Sequence, residues 1–282
     1  MRDRVRGATF RVTVRPRGGQ FFPSDFGVPI PGGMSDNGRW VAFGYFIQAH
    51  PGCCLAGWIY VRDRLRHTTR RVTPLEDVGP FERPLDLSAN GQWLTFQELD
   101  DHFNAAGTAV RNLVTGRTHD IHGGLTSVVA TRDAHYVAVD DLNANASGDT
   151  VLRWNRITRN RVPVITQRAA DNEVAGISSD GRYVSVVSDA PNLVPGDTNG
   201  RRDIFRFDLQ THTVLRIDLT AAGMQIPVGV PRIIDGAGEY LSEDGTKVAF
   251  ASRSGRIVAG DTNHAVDVFV RGPIPRGRRT PI

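Results

Sequence analysis

Apolar and polar residues alternate along most of this chain in short runs, the period of a half-buried strand, and Gly, Asn and Asp cut the runs at regular intervals. One signature recurs five times: a small hydroxyl residue, any residue, Asn or Asp, Gly, any residue, then an alternating apolar run. The copies begin at Ser35, Ser88, Thr131, Ser178 and Ser242, at intervals of 53, 43, 47 and 64 residues; the third has Ala134 in the glycine place. Asn-Gly and Asp-Gly tolerate the positive φ of a tight turn, and the flanking alternation supplies two strands, so each copy predicts a β-hairpin.

A third apolar run follows every hairpin, at Trp58 to Val61, Ala109 to Leu113, Val151 to Trp154, Ile204 to Phe207 and Val268 to Val270. A fourth run follows in four copies, at Thr69 to Thr73, Arg117 to Ile121, Arg161 to Ile165 and Thr213 to Ile217. The fifth copy enters Gly272-Pro273-Ile274-Pro275 instead, where proline lacks the ladder donor. Its missing strand is expected at the other end of the chain. Thr9-Phe10-Arg11-Val12-Thr13 matches Thr69-Arg70-Arg71-Val72-Thr73, and Arg11-Val12-Thr13-Val14 with Gly18 and Gln20 aligns with Arg216-Ile217-Asp218-Leu219 with Gly223 and Gln225. Four strands per unit at such intervals describe an all-β, single five-bladed β-propeller over residues 9–271, closed by the amino-terminal strand and followed by a basic, Pro-containing tail at 272–282. Trp40, Phe43, Trp93, Phe96, Tyr183 and Phe250 are the core candidates.

The last two copies repeat each other most fully. Gly196-Asp197-Thr198-Asn199 with Asp203-Ile204-Phe205 returns, 64 residues on, as Gly260-Asp261-Thr262-Asn263 with Asp267-Val268-Phe269. This stretch, behind Ser178-Ser179-Asp180-Gly181-Arg182-Tyr183-Val184, resembles the WD40-like PD40 repeats of TolB-type bacterial propellers. No Trp-Asp pair closes a blade as in true WD40 repeats. The resemblance implies a propeller scaffold, often extracytoplasmic, that takes part in protein assembly.

Composition sharpens the picture. Of 282 residues, 40% are hydrophobic and 23% charged, with no apolar run long enough to span a bilayer. Gly (30) and Pro (16) suit many short strands and few helices. The net charge of +4 is carried almost wholly by scattered arginines, Lys247 being the only lysine, which is not the contiguous basic face of a nucleic-acid binder. The two cysteines, Cys53 and Cys54, are adjacent and form no disulfide framework. The first residues have positive charges but no apolar core behind them, so no secretory signal is visible, against the extracytoplasmic expectation.

Candidate chemistry centres on the repeated loop. Asp197, Asn199 and Asp203, and again Asp261, Asn263 and Asp267, set oxygen-bearing side chains at first, third and seventh positions, a partial ligand set for calcium. A degraded version stands at Asn143, Asn145 and Asp149, and blades one and two have Trp58 and Gly107 where the last aspartate should be. Arg201 and Arg202 rule out an EF-hand. The same side chains can instead accept backbone amides and fasten the turn, the reading we favour from sequence. His119 and His122 point to opposite faces of a strand, and His50 with Cys53 and Cys54 lacks a fourth ligand. No nucleophile elbow or phosphate loop is present. The expected function is a non-catalytic module binding a protein or extended ligand on one face. The alternative is a carbohydrate-active enzyme using acids such as Asp36, Asp86, Asp133 and Asp235 at the axial channel.

Overall fold

The computed structural model describes residues 2–3, 8–21, 28–50, 53–73, 81–99, 105–121, 127–141, 150–166, 171–230 and 240–276. Among them there is no helix, and so none long and apolar enough to cross a membrane. The chain divides into two compact units, residues 1–124 with 132–134, and 125–131 with 135–282.

The first unit holds two four-stranded antiparallel meanders. One runs β3 (Val28–Met34), β4 (Trp40–His50), β5 (Cys53–Asp63) and β6 (Thr68–Arg71); the other runs β7 (Phe81–Leu87), β8 (Trp93–Leu99), β9 (Ala105–Asn112) and β10 (Thr118–Asp120). A small pair, β1 (Arg2–Asp3) with β2 (Ala8–Thr9), precedes them. The second unit continues with β11 (Val128–Ala130), β12 (Tyr136–Asp141), β13 (Thr150–Asn155) and β14 (Arg161–Ile165). A further meander of β15 (Asn172–Ile177), β16 (Tyr183–Ser188), β17 (Asp203–Asp208) and β18 (Thr213–Arg216) follows, and then the pair β19 (Val248–Ser252) and β20 (Asp267–Arg271). Each meander is the four-stranded antiparallel sheet of a propeller blade.

Both strands flanking each of the first four hairpin signatures, the second strand of the fifth, and every third and fourth run are in place. In the fifth copy Leu241 makes an isolated bridge to Val248, and 231–239 lie outside the described residues. Residues 10–15 are not part of a named strand; Phe10 lies under the Arg64 guanidinium, 4.8 Å from it. The start of the tail is part of the core: Ile274 is buried in one cluster with Val248 and Phe250, and its N–H donates to the Thr246 carbonyl.

The recurring signature is a hydrogen-bonded box. Ser35 Oγ accepts the Trp40 N–H at 2.9 Å and donates to Asn37 Oδ1 at 2.9 Å, which accepts the Arg39 N–H at 3.0 Å. Ser88, Ser178 and Ser242 repeat it with Asn90, Asp180 and Asp244. The box leaves the fourth residue in the left-handed region, with φ of +70° at Gly91, +67° at Gly181 and +70° at Gly245. These glycines also meet a neighbouring sheet. A Cβ would stand 2.3 Å from Trp40 Cδ1 at Gly91, 2.4 Å from Tyr136 Cδ2 at Gly181 and 2.2 Å from Tyr183 Cδ2 at Gly245. The aromatic that begins one hairpin's second strand is therefore the seat of the next hairpin's glycine. Arginines clamp two of these seats from above. Arg153 and Arg206 lie over Tyr136 and Tyr183 at 4.8 and 4.5 Å and donate to the carbonyls of Gly181 and Gly245, each at 2.7 Å. Turns also bond turns directly, Asp36 N–H to Ala89 carbonyl at 3.0 Å and Ser179 N–H to Glu243 carbonyl at 2.8 Å.

The core lies between the sheets. Phe43, Phe96, Tyr183 and Phe250 are buried, while Trp40 and Trp93 are half-buried under the turns. Strands β15, β16 and β17 are buried along their whole length.

The contact between glycine and ring can be separated from backbone strain. Gly245→Ala should cost about 3 kcal/mol, combining left-handed strain with a clash against Tyr183. Gly196→Ala has the same kind of φ, +80°, but nothing within 4 Å, and should cost only about 1 kcal/mol. Thermal melts of the two variants check the difference.

Candidate functional site

The first acid loop joins β16 to β17. Ser188 Oγ accepts the Ala190 N–H as the chain leaves the sheet, at 3.1 Å, and Gly196 turns it at φ +80°. Asn199 then locks the return: its Oδ1 accepts the Arg201 N–H at 3.0 Å, and its Nδ2 donates to Asp203 Oδ1 at 3.1 Å and to the Ile226 carbonyl at 3.2 Å.

The charge facing these acids is an arginine. Arg216, at the end of β18, donates through NH1 to Asp197 Oδ1 at 3.2 Å, through NH2 to Asp203 Oδ1 at 2.5 Å and through Nε to Asp218 Oδ1 at 3.2 Å. All four side chains are at most 5% exposed. Gln225 completes the enclosure, with Nε2 donating to Asp197 Oδ1 and Oε1 accepting the Thr198 hydroxyl and N–H. Sequence reasoning placed Asp197, Asn199 and Asp203 together. It missed the roles of Arg216, Asp218 and Gln225, which stand 13 to 28 residues from the acids they meet.

Three carboxylates around one guanidinium leave an excess of negative charge out of water. Burial first, then the hydrogen bond and charge of Asp203, push Asp218 up to about 8. Burial also raises Asp203, against Asp218, Asn199 and Arg216, which lower it. The remaining oxygens, Asp203 Oδ2 and Asp218 Oδ2, are buried with no other hydrogen-bond partner. Burial and the neighbouring Asp203 charge thus favour the protonated form of Asp218.

The second acid loop has the same backbone and a different surrounding. Gly260 turns at φ +83°, Asn263 Nδ2 donates to Asp267 Oδ2 at 2.9 Å, and Asn263 Oδ1 accepts the Ala265 N–H at 2.8 Å. Asp261 and Asp267 are half-buried, and neither has a cationic partner among the described residues. The degraded loop at Asn143, Asn145 and Asp149 lies outside the described residues, as do Asp235 and His122. Trp58 and Gly107 are ordinary ladder positions, opposite Tyr45 and Glu98. Of the acids considered for a channel, Asp36 pairs with Arg132 on the turn face, Asp133 sits in a turn, and Asp86 Oδ1 accepts the Leu87 N–H at 2.7 Å. His119 lies in β10 and stacks on Trp93 with ring centroids 6.2 Å apart. Among the described residues no group of three His, Cys, Asp or Glu side chains is arranged to hold a metal ion.

Beside the acid loops opens a hollow of about 380 Å³ lined by Arg201, Arg202, Gly229, Val230, Arg253 and Val266. Arg202 is committed, to Asp171 at 2.5 Å and Glu173 at 2.9 Å. Arg201 and Arg253 are exposed, with no acidic partner among the described residues. Gly229 is required for the chain's close approach, since a Cβ there would stand 2.4 Å from the Arg202 carbonyl.

Two kinds of buried acid give opposite pH responses. Asp218 holds its proton to about 8 in the folded chain, whereas in the unfolded chain it loses it near pH 4. Its contribution is therefore fully present below pH 4 and is lost as pH rises towards 8. Asp218→Asn mimics the protonated form and should flatten this limb, which in the native chain amounts to on the order of 2 kcal/mol between pH 5.5 and 8. Asp63, held at about 2 by Arg39 and the N–H groups of Leu65 and Arg66, acts in the other direction. So does Asp208, which burial pushes up but Arg182, Thr211 and Gln210 hold at about 2. Their contributions are present above pH 4 and are lost as pH falls towards 2. Melting curves from pH 2.5 to 8.5 on both proteins would read the two limbs.

No protein-family model matches the chain, and no curated protein matches it in sequence. Solved structures do resemble it. An oligogalacturonate lyase in complex with manganese is 9% identical, with a TM-score of 0.55 over 86% of this chain and 64% of that one. An acylaminoacyl peptidase from Pyrococcus horikoshii is 10% identical, with a TM-score of 0.51 over 86% of this chain and 37% of that one. TolB from Acinetobacter baumannii is 14% identical, with a TM-score of 0.45 over 81% of this chain, which spans about half, 49%, of that protein. At such identities the likeness is one of fold, and with the four-stranded meanders it identifies an all-β protein of the β-propeller type.

Proposed function

We propose that this chain is a non-catalytic propeller module that binds an extended, acidic segment of another protein at the hollow beside its acid loops. The observation that carries the reading is the pairing of two uncommitted guanidiniums, Arg201 and Arg253, with an apolar lining of Val230 and Val266. Arginine on the rim selects carboxylates, and apolar side chains hold the stem of the ligand. The acid loops support this surface as fastened turns, with Arg216 in the position a calcium ion would take in the first of them.

The same reading takes the five repeats as five blades of one ring, closed by residues 9–14 as the outer strand of the last blade. Support comes from the repeat count and from β20, which pairs with β19 alone among the described residues.

Titration with a Glu-rich peptide, followed by calorimetry at low and moderate salt, tests the assignment. Binding should weaken about tenfold in Arg201→Ala with Arg253→Ala, the loss of one or two charge-assisted contacts. Depolymerisation of a uronic-acid polymer by the chain would instead favour the carbohydrate-active alternative. Addition of calcium should leave the melting temperature unchanged.

A further inference from the structure

The turn between third and fourth strand is built alike in all four of the four-stranded sheets. An Asp or Asn opens it, and its Oδ1 accepts the N–H groups two and three residues on. Asp63 takes those of Leu65 and Arg66, Asn112 those of Val114 and Thr115, Asn155 those of Ile157 and Thr158, and Asp208 those of Gln210 and Thr211, at 2.8 to 3.3 Å. The second residue, Arg64, Leu113, Arg156 or Leu209, donates its N–H to a carbonyl just past the hairpin box. The fifth, His67, Gly116, Arg159 or His212, takes a left-handed φ. A backbone fastened at so many points turns its third residue out into solvent.

In three of the four turns that residue is aliphatic. Leu65, Val114 and Ile157 are 71%, 75% and 64% exposed, and Gln210, in the fourth, is exposed as well. Gln210 keeps every bond of the turn, so the fold itself asks for no apolar side chain there. One exposed aliphatic residue is ordinary; its return at one position of one turn, with arginine around it, is a pattern. Segments 64–68, 113–117 and 156–160 contain Arg64, Arg66, Arg117, Arg156 and Arg159 and no acid. In the first unit two such turns adjoin, since Arg70 NH2 donates to the Leu113 carbonyl at 2.5 Å. Arg64, Arg66, Arg70 and Arg117 have no acidic partner among the described residues, and Asp63, which opens the first turn, is held by Arg39.

We propose that the adjoining turns 63–68 and 112–117 dock on a membrane surface rich in anionic phospholipid, with Leu65 and Val114 entering the acyl boundary and the four arginines at the level of the phosphates. Charge complementarity selects the surface: a guanidinium fork matches a phosphate, and no carboxylate nearby neutralises it. The shape of the tips selects a bilayer over a protein. A folded partner needs a socket cut to each projecting side chain, whereas acyl chains close around any aliphatic tip. Two tips and four charges are each too few to hold alone, and together they give reversible binding. The surface owes nothing to the hollow of Arg201 and Arg253, so either can stand without the other.

Co-sedimentation with phosphatidylcholine vesicles carrying about one-third phosphatidylserine, set against phosphatidylcholine alone, tests this. The chain should bind the acidic vesicles, less tightly as salt rises, and the neutral ones about tenfold more weakly or worse. Leu65→Ser with Val114→Ser should lower the affinity about tenfold, and Arg66→Ala with Arg117→Ala about thirtyfold. Melting temperatures should stay within about 2 °C of the native chain, because all four side chains are exposed. In Leu65→Trp, brominated lipid in the acidic vesicles should quench fluorescence that the native chain lacks, as adhesion by charge alone would not. No binding to acidic vesicles at low salt would overturn the proposal. So would equal binding by the serine pair and the native chain, or a Leu65→Trp signal that brominated lipid leaves untouched. Binding lost in Arg201→Ala with Arg253→Ala but kept in the serine pair would move the contact to the hollow and overturn the docking surface. A Glu-rich peptide that binds without any vesicle binding, and that the serine pair releases, would make the occupant a protein.

Discussion

A glycine held against an aromatic ring is the contact on which the sheets depend. Trp40 receives Gly91, Tyr136 receives Gly181 and Tyr183 receives Gly245, each so closely that no Cβ fits. The ring can be approached this way because the Ser-x-Asn/Asp box forces the next residue into a conformation that only glycine adopts cheaply. Local hydrogen bonding in the turn and packing between sheets thus make the same demand on one position. Where the turn has Ala134 in place of glycine, φ is still +54°, so the backbone requirement outlasts the residue best suited to it.

Arginine follows from the same geometry. A guanidinium that lies flat on a ring while donating to a carbonyl of the adjoining turn needs a planar, forked head, which lysine lacks. Arg153 and Arg206 do this, and burial makes both guanidiniums easier to deprotonate than a free one. Arg39 and Arg182 meet Asp63 and Asp208 in two-pronged pairs across each hairpin, at 2.6 to 3.0 Å. Much of the positive charge in the composition is thereby structural. The free arginines that remain near the acid loops are few, which is why they mark a surface.

What could be read from the sequence was what is local in it. The box around Ser35 or Ser178 spans six residues, and its spacing alone placed the hairpins and the strands after them. The seat of Gly91 on Trp40 was invisible, because nothing in either residue says which turn meets which ring. Arg216 is the instructive case. It was noticed as an alignment anchor for Arg11, yet its meeting with Asp197 and Asp203 depends on the loop folding back over β18. An acid-rich loop read alone suggests a metal ion; the cation here arrives from a strand that follows it. Ile274 was missed for a related reason, since a proline-flanked segment beyond the last strand gives no periodic sign of burial.

In the sheet of β15 to β18, Gly181 meets a ring of the sheet before it and Tyr183 receives a glycine of the sheet after it, so the contact is directional, head to tail. A unit copied in tandem would arrive with a socket already matched to its parent's plug. Growth of such a chain by duplication requires no new interface to evolve. Selection is left to act on the loops that the fastening does not use. The near identity of the two acid loops beside the divergence of what surrounds them is the pattern such a history would leave.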